Sequence, residues 1–547
     1  MTRAFLRAFF PLAIAAVVAG PRAARAGTEC DGAVSSGEAA AISAIIADLL
    51  ANEPGLPLPV RQRAKALNAY YQDHAGRLLW IGTGRMVEFV ARAAAADEDG
   101  LDPASYPSGQ LGRLSKVATD TDARSRAIIE LYFSAALLEY ASDIRVGRLL
   151  PRKVDPGFFL QDKSIDQVAA LNTLGTTPTL DAFLARWQPQ TADYVGLKRA
   201  LAQYRLLASR GGWPTVPIGE TLKPGLRDPR VPALRARLAV SEGVPPAQTG
   251  AEDLYDPLLV VAVKAFQARH GIDAAGAVGK GTVAALNVSV EDRMEEIAVA
   301  MERWRWMPDD LGFDYLIVNI AGFELKRVTA GKVGERMNVV VGKAGTRTPV
   351  FSDRVRYLEF NPYWNVPPDI AVNEELPVLR RGTAGRMADG FEAVRGDQVI
   401  PLNQIDWNSV SPGNFPYQLR QRPGLKNALG RVKFMFPNQF NVYLHDTPSR
   451  SLFVRSERAF SHGCIRLARP LDLAVDVLRG TPGWDRKRID EVVADGDRLT
   501  VNLAQPLPIH ITYLTAWVEN GQVNFRNDIY KQDEKLMNAL AGRSMAW

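Results

Sequence analysis

The chain has 547 residues, enough for several domains, and its 47% hydrophobic and 23% charged content is that of globular protein, which argues against extensive disorder. The formal charge is +6, from 66 basic and 60 acidic residues. Arg3, Arg7, Arg22 and Arg25 all precede residue 27, so a chain trimmed there keeps 62 basic residues (66 less these four) against 60 acidic ones. No basic tract with interleaved aromatics remains, which leaves a nucleic-acid partner unsupported.

In chain order, Arg3 and Arg7 precede the apolar run 9–19, and Ala24-Arg25-Ala26 offers a small-x-small cleavage site. That is the layout of a secretory signal peptide over 1–26. The run is shorter than the ~20 residues of a membrane-spanning helix; an uncleaved anchor is the alternative. Cys30 and Cys464 are the only cysteines, so export brings no disulfide framework, and a bridge between them would silence Cys464. Cys30 has no lipobox-like run before it (Gly27-Thr28-Glu29), which argues against lipidation.

Residues 27–215 read as a helical domain: 39–50 and 124–144 carry apolar residues at three-to-four spacing. Gly100-Leu101-Asp102-Pro103 and Gly147-Arg148-Leu149-Leu150-Pro151 punctuate it as turns. Leu79, Trp80 and Tyr106 are expected in its core, and His74 at the surface or packed. Residues 224–288 form a second unit with short helices starting at Val231, Leu258 and Thr282; Val261, Phe266 and His270 are placed near one face. A helical connector (289–312) follows, and the texture then turns to β: 315–320, 337–341 and 356–360 read as strands. Between Pro367 and about Arg422 lies a long insertion with a helix over 369–381 and the aromatics Phe391, Trp407, Phe415 and Tyr417. A functional lid and a surface excursion are the two readings. A helix over 470–480 starts with Pro and ends with Gly. Residues 509–518 and 522–529 are expected to pair through the turn Glu519-Asn520-Gly521, with His510 structural. Residues 531–547 are a C-terminal tail.

The chemistry gathers at Leu444-His445-Asp446-Thr447-Pro448 and Phe460-Ser461-His462-Gly463-Cys464-Ile465-Arg466. A lone cysteine is most often a small buried hydrophobe, but two of the five histidines flank this one. Activating a thiol takes a neighbouring base, and a Gly-Cys step can present backbone N–H groups to a developing oxyanion. His462, two residues before the thiol, shares its side on an extended segment. His445 lies 19 positions upstream at the end of the strand-like run 440–444, and a hairpin or an adjacent strand pair would bring it to the sulfur. A zinc site is the weaker reading, because one Cys and two His lack a fourth ligand at a usual spacing.

His, fifteen residues, then Ser-His-Gly-Cys-Ile-Arg resembles the signature of the L,D-transpeptidase (YkuD-type) catalytic domain of bacterial cell-wall synthesis. Val341-Gly342-Lys343 through Asn361-Pro362-Tyr363-Trp364-Asn365-Val366-Pro367 is similar to the long periplasmic branch of that family, as is 423–430 running into Lys433-Phe434-Met435-Phe436-Pro437-Asn438. The similarity covers roughly 314–530. In 224–288, Phe266-Gln267-Ala268-Arg269-His270-Gly271 followed by Gly279-Lys280-Gly281-Thr282 resembles the small three-helix peptidoglycan-binding domain, with Ala275-Gly276 where that family has Asp-Gly. Glycan contact through 224–288 and a pure spacer role both stay open.

The resemblance implies a multidomain α+β protein: a helical scaffold, a three-helix peptidoglycan-binding-like domain, and a mainly β catalytic domain (313–530) with an inserted capping lid (about 367–422). It implies a periplasmic enzyme acting on peptidoglycan stem peptides. Cys464 would attack the third residue of a tetrapeptide donor with release of D-Ala, His445 serving as base and then acid. The oxyanion would sit against the N–H groups of Gly463 and Cys464. An amine acceptor would resolve the thioester into a 3–3 cross-link. Ser461, His462 and Arg466 stand in the second tier; Arg466 pairs either with a substrate carboxylate or in a structural salt bridge. Trp364 and Tyr443 wall the donor pocket or simply pack the core. No metal or organic cofactor is required, and carbapenems are expected to acylate the thiol. Hydrolysis of the same acyl-enzyme (an L,D-carboxypeptidase or endopeptidase) and a non-enzymatic wall-binding scaffold are the rival functions.

Overall fold

Helices dominate the N-terminal half because their apolar stripes have one another to bury. In the computed structural model, which describes residues 34–542, the helix Ala123–Val146 runs through the middle of this bundle. Asp122 caps it by accepting from the N–H groups of Arg124 and Ser125. Around it pack Ser36–Asn52, Arg85–Ala94, Gln167–Thr176 and Leu180–Trp187. Leu79, Trp80 and Tyr106 are buried in the same core. So is Glu130, whose carboxylate accepts from the backbone N–H groups of Leu79, Trp80 and Ile81 and from the Tyr71 hydroxyl, satisfying a turn that has no helix of its own. His74 stacks on Tyr70 and bonds its carbonyl at 3.0 Å. The signal-peptide segment, Cys30 and residues 543–547 lie outside the described residues.

The helix Ala192–Ser209 leaves the bundle core. It packs on the connector helix Val290–Trp306, and Tyr194, Leu197 and Leu201 join the core of the β domain. The connector starts at a capping box between Ser289 and Asp292. From Val299 to Trp306 it is buried on all sides, and Arg305, fully enclosed, pairs with Glu302 at 3.0 Å and reaches Tyr194 at 3.2 Å. Between these helices, Val231–Glu242, Pro257–Arg269 and Lys280–Leu286 build a small core of their own. His270 stacks on Phe266 and faces Phe525 of the β domain, while the Arg526 guanidinium donates to the Arg269 carbonyl. Val261 is 66% exposed, against the expectation that it shares a face with Phe266. Five residues is about 140° off on a helix, so Leu259 and Val263 turn inward instead.

The β domain is assembled from β1 (Tyr315–Asn319), β2 (Glu324–Thr329), β3 (Lys332–Gly342), β4 (Phe351–Phe360), β5 (Trp364–Asn365), β6 (Phe391–Arg395), β7 (Gln398–Ile400), β8 (Gln418–Gln421), β9 (Val432–Met435), β10 (Leu444–His445), β11 (Ala459–Ser461), β12 (Ile465–Leu467), β13 (Leu499–Thr512), β14 (Ala516–Glu519) and β15 (Gln522–Phe525). The main sheet runs β11-β3-β12-β10-β9-β4-β13-β1-β2, and β2 also pairs with β3, so the sheet closes on itself. Residues 509–512 belong to the long β13, parallel to β1 and antiparallel to β4, and not to the expected hairpin. The chain breaks after Thr512, and only 516–519 pair with 522–525 across Asn520-Gly521, where Asn520 takes a positive φ of 51°.

The insertion is more ordered than its sequence suggested. Its helical stretch spans 368–381, with a π turn over Ala371–Glu375 just before Pro377. The rest folds into a separate sheet, β5-β8-β6-β7, whose apolar residues form a core in which Trp407 packs at a tilt against Phe415 and Tyr417.

Candidate active site

Two very short strands bring the chemistry together. β10 and β12 lie side by side in parallel, Leu444 opposite Ile465 and His445 opposite Arg466. Leu444 and Ile465 are fully buried in the core, so the alternating residues turn to the other face. Tyr443 and His445 from one strand, Cys464 and Arg466 from its neighbour, therefore look the same way, and all four line one cleft of about 780 Å³. Of the two arrangements open to the sequence, the adjacent pair is the one formed. The strand predicted over 440–444 shrinks to 444–445, because Asn441 takes a left-handed φ of 53° and the Asn438 side chain, accepting from Val442 N–H and donating to its carbonyl, holds a turn there.

The Cys464 thiol is half-buried and donates to the Asn441 carbonyl at 3.6 Å. Burial pushes it up from its ordinary range, against the Tyr443 backbone N–H and hydroxyl, which hydrogen-bond the sulfur, and against the charges of Lys433 and Arg466. The His445 ring bonds the Asp446 carbonyl through Nδ1 at 2.5 Å. A carbonyl only accepts, so Nδ1 carries the proton and the Nε2 lone pair is the basic site. Burial first, then the Arg466 guanidinium, lower this imidazole to about 3. At rest the cleft thus holds a neutral thiol, bonded to the Asn441 carbonyl, and a neutral imidazole, bonded to that of Asp446.

Asp446, which sequence reasoning passed over, anchors this strand end. Its buried carboxylate accepts from Thr447 N–H (2.7 Å), Arg431 N–H (2.9 Å) and Nε (3.0 Å), and the Arg450 guanidinium. Thr348 was also missed. Its hydroxyl accepts from Gly342 N–H at 2.9 Å and donates to the Gly463 carbonyl at 2.8 Å, so it ties the loop before the thiol to β3. Neither carries a spacing pattern that sequence could show.

Gly463 sits at φ 116°, a conformation other residues avoid. The bend it makes interrupts the extended segment expected there, although His462 and Cys464 still line the same cleft. His462 reaches the insertion and meets Glu374 at 2.6 Å. The Ser461 hydroxyl is buried, donates to the Cys464 carbonyl at 2.5 Å and accepts the Gly463 N–H at 3.2 Å. That amide, expected to face an oxyanion, is engaged by Ser461. Arg466 meets no carboxylate within ion-pair distance among the described residues, and its Nε is buried without a partner. Trp364 is partly buried, packs edge-on to Phe391 at 5.9 Å and lines the same cleft, as do Pro368, Ile370 and Glu374 of the insertion.

A closed β domain with thiol and imidazole on adjoining strands, its cleft lined in part by an insertion, is the class of fold seen here, carried by helical modules. Residues 314–484 match the family model for the L,D-transpeptidase catalytic domain (YkuD), and residues 65–201 match that for a scaffold domain. The chain carries a YkuD-type L,D-transpeptidase catalytic domain together with a scaffold domain. A curated Haemophilus influenzae protein named "Putative L,D-transpeptidase" is 32% identical over 244 residues, 44% of this chain and 49% of that one. The chain thus spans about half the length of this curated relative. Among solved structures, an L,D-transpeptidase from Xylanimonas cellulosilytica is 16% identical, covering 54% of this chain and 98% of that one, with a TM-score of 0.18. An Ldtfm–avibactam carbamoyl enzyme is 11% identical, covering 41% and 63%, with a TM-score of 0.16. At those TM-scores the two likenesses carry no argument.

Proposed function

We propose that this protein is a peptidoglycan L,D-transpeptidase that forms 3–3 cross-links through a thioester on Cys464. The observation that supports this most directly is the parallel pairing of β10 with β12, which turns the thiol and the imidazole to one cleft. In this reading His445 Nε2 takes the thiol proton as the sulfur attacks the carbonyl of the third stem residue. The Asp446 carbonyl holds the ring by its Nδ1–H throughout. The imidazolium then gives the proton to the departing amine of D-Ala, since an amide nitrogen leaves poorly without one. With Gly463 N–H bound to Ser461, the Cys464 N–H is the amide left for the oxyanion, beside the Tyr443 hydroxyl. A second stem's amine attacks the thioester, His445 removing its proton, and the thiol is regenerated. Trp364 and Tyr443 wall the donor side. The insertion acts as a lid whose position is coupled to the thiol loop by the His462–Glu374 contact. Export to the periplasm through residues 1–26 and glycan contact through 224–288 complete the proposal.

The test is acylation and product analysis with a disaccharide-tetrapeptide substrate and the full chain. Intact mass should show a Cys464 adduct with loss of D-Ala, and chromatography should show cross-linked dimers. Cys464→Ala should abolish both while the thermal transition stays in place. Trimmed tripeptide without dimers would mean hydrolysis of the same acyl-enzyme. Neither adduct nor product, with substrate or with a carbapenem, would leave a wall-binding scaffold.

A further inference from the structure

The cleft holds a second feature that acyl transfer at the sulfur does not use. Lys433 on β9, His445 on β10 and Arg466 on β12 are register partners across three adjoining strands, so their side chains form one row, one step along the strands from the row that carries the thiol. Lys433 and Arg466 flank the imidazole, and both line the cleft. Arg466 has no ion pair among the described residues and a buried Nε without a partner. Lys433 lies over the Tyr443 ring at 4.4 Å, and its nearest carboxylate, Glu359, is 3.9 Å away and already bound by Arg498 at 2.8 Å. Glu374, the single carboxylate lining this cleft among the described residues, is engaged by His462 at 2.6 Å. Two half-buried cations beside an imidazole repel one another and raise the free energy of the empty site, unless a ligand brings the missing negative charge.

We infer that Lys433 and Arg466 form a carboxylate-binding strip, and that the donor is selected for a free carboxylate next to its scissile bond; this rests on the transpeptidase reading above. The spacing suits it. The row lies ~7 Å from the sulfur along the strand, a carboxylate one residue from the scissile carbonyl lies about 4 Å from it, and the long Lys and Arg side chains close the difference. The carboxylate has two sources, the C-terminus of the leaving residue or a carboxylate borne by the acyl-side residue. Seating it has a further consequence: it offsets the two charges that, after burial itself, disfavour imidazolium at His445.

The experiment measures single-turnover acylation of Cys464 by mass, on the full chain, with three peptides: the free acid stem tetrapeptide, its C-terminal carboxamide, and the peptide amidated on the acyl-side carboxylate. Charge-assisted hydrogen bonds of this kind correspond to about 10–100-fold in rate. Wild type is expected to discriminate by that factor against one of the two amides, which identifies the source. Lys433→Met and Arg466→Met should each bring the ratio towards one, and Arg466→Lys should keep most of it. Lys433→Gln and Arg466→Gln serve if a Met variant does not fold. Equal rates with all three peptides in wild type, or an unchanged ratio in every charge-removing variant, would overturn the strip while leaving the transpeptidase standing. A wild type acylated by no peptide at all removes the transpeptidase reading itself.

Discussion

The neutral resting pair at the site makes a sharp prediction about thiol reactivity. Even at its ordinary value of 9.0 a thiol is only about 1% ionised at pH 7, and burial moves Cys464 further from ionisation. His445, held to about 3, is protonated in roughly one molecule in 10⁴ at pH 7. An ion pair of thiolate and imidazolium, as in cysteine sites with strongly lowered thiols, is therefore not the ground state. Carboxamidomethylation of Cys464 by iodoacetamide, followed by mass on the tryptic peptide so that Cys30 does not contribute, should be slower at pH 7 than for an unfolded cysteine. It should rise about tenfold per pH unit from pH 6 to 9, with no inflection near 6.5. His445→Gln removes the imidazole and leaves this profile nearly unchanged, yet abolishes acylation by substrate, because the base acts only as the carbonyl is attacked. The stability consequence has a definite sign. A histidine depressed from 6.5 to about 3 favours the folded state above pH 6.5 and loses that contribution as pH falls towards 3, at 1.36 kcal/mol per unit and so about 3 kcal/mol by pH 4. The β domain of wild type should weaken over that window by about this amount more than that of His445→Gln. A labelling rate that is flat between pH 6 and 8, falling only below pH 5, would refute the neutral pair.

Three further outcomes follow from local geometry. Thr348→Val keeps the shape of a buried residue but leaves Gly342 N–H without its acceptor and Gly463 C=O without its donor; it should destabilise the β domain by about 1–3 kcal/mol in denaturant melts and slow Cys464 acylation, and Thr348→Ser should recover most of both. Gly147→Ala places a Cβ 2.7 Å from Glu302 Oε1 and 2.7 Å from Trp306 Nε1 at a φ of +90°; loss of about 2 kcal/mol or more is expected as a lowered Tm, read by calorimetry. Glu374→Ala removes the side chain that meets His462; limited proteolysis should cut the insertion at about 367–422 faster while the rest of the chain stays resistant, and an unchanged cleavage rate would mean that the contact does not hold the insertion.

What sequence shows here divides by the range of the interaction. The long helices Ser36–Asn52 and Ala123–Val146 were legible because their apolar period repeats over several turns. The thiol, His445 and the glycine before the thiol were legible because residue type alone names their chemistry. The parallel pairing that joins them was not: β10 has two residues and β12 three, too few for any period to register, and the left-handed Asn441 that ends the preceding turn is a tertiary choice. The insertion's four-stranded sheet was hidden for the same reason, its strands being two to five residues long. Contacts such as His462 with Glu374, 88 positions apart, leave no local trace. Lys433 and Arg466 illustrate the limit most clearly. Arg466 reads singly as the partner of a substrate or structural carboxylate and Lys433 only as part of a motif; strand register sets both against His445, where their positive charges and the burial they share become a reason to expect an anion.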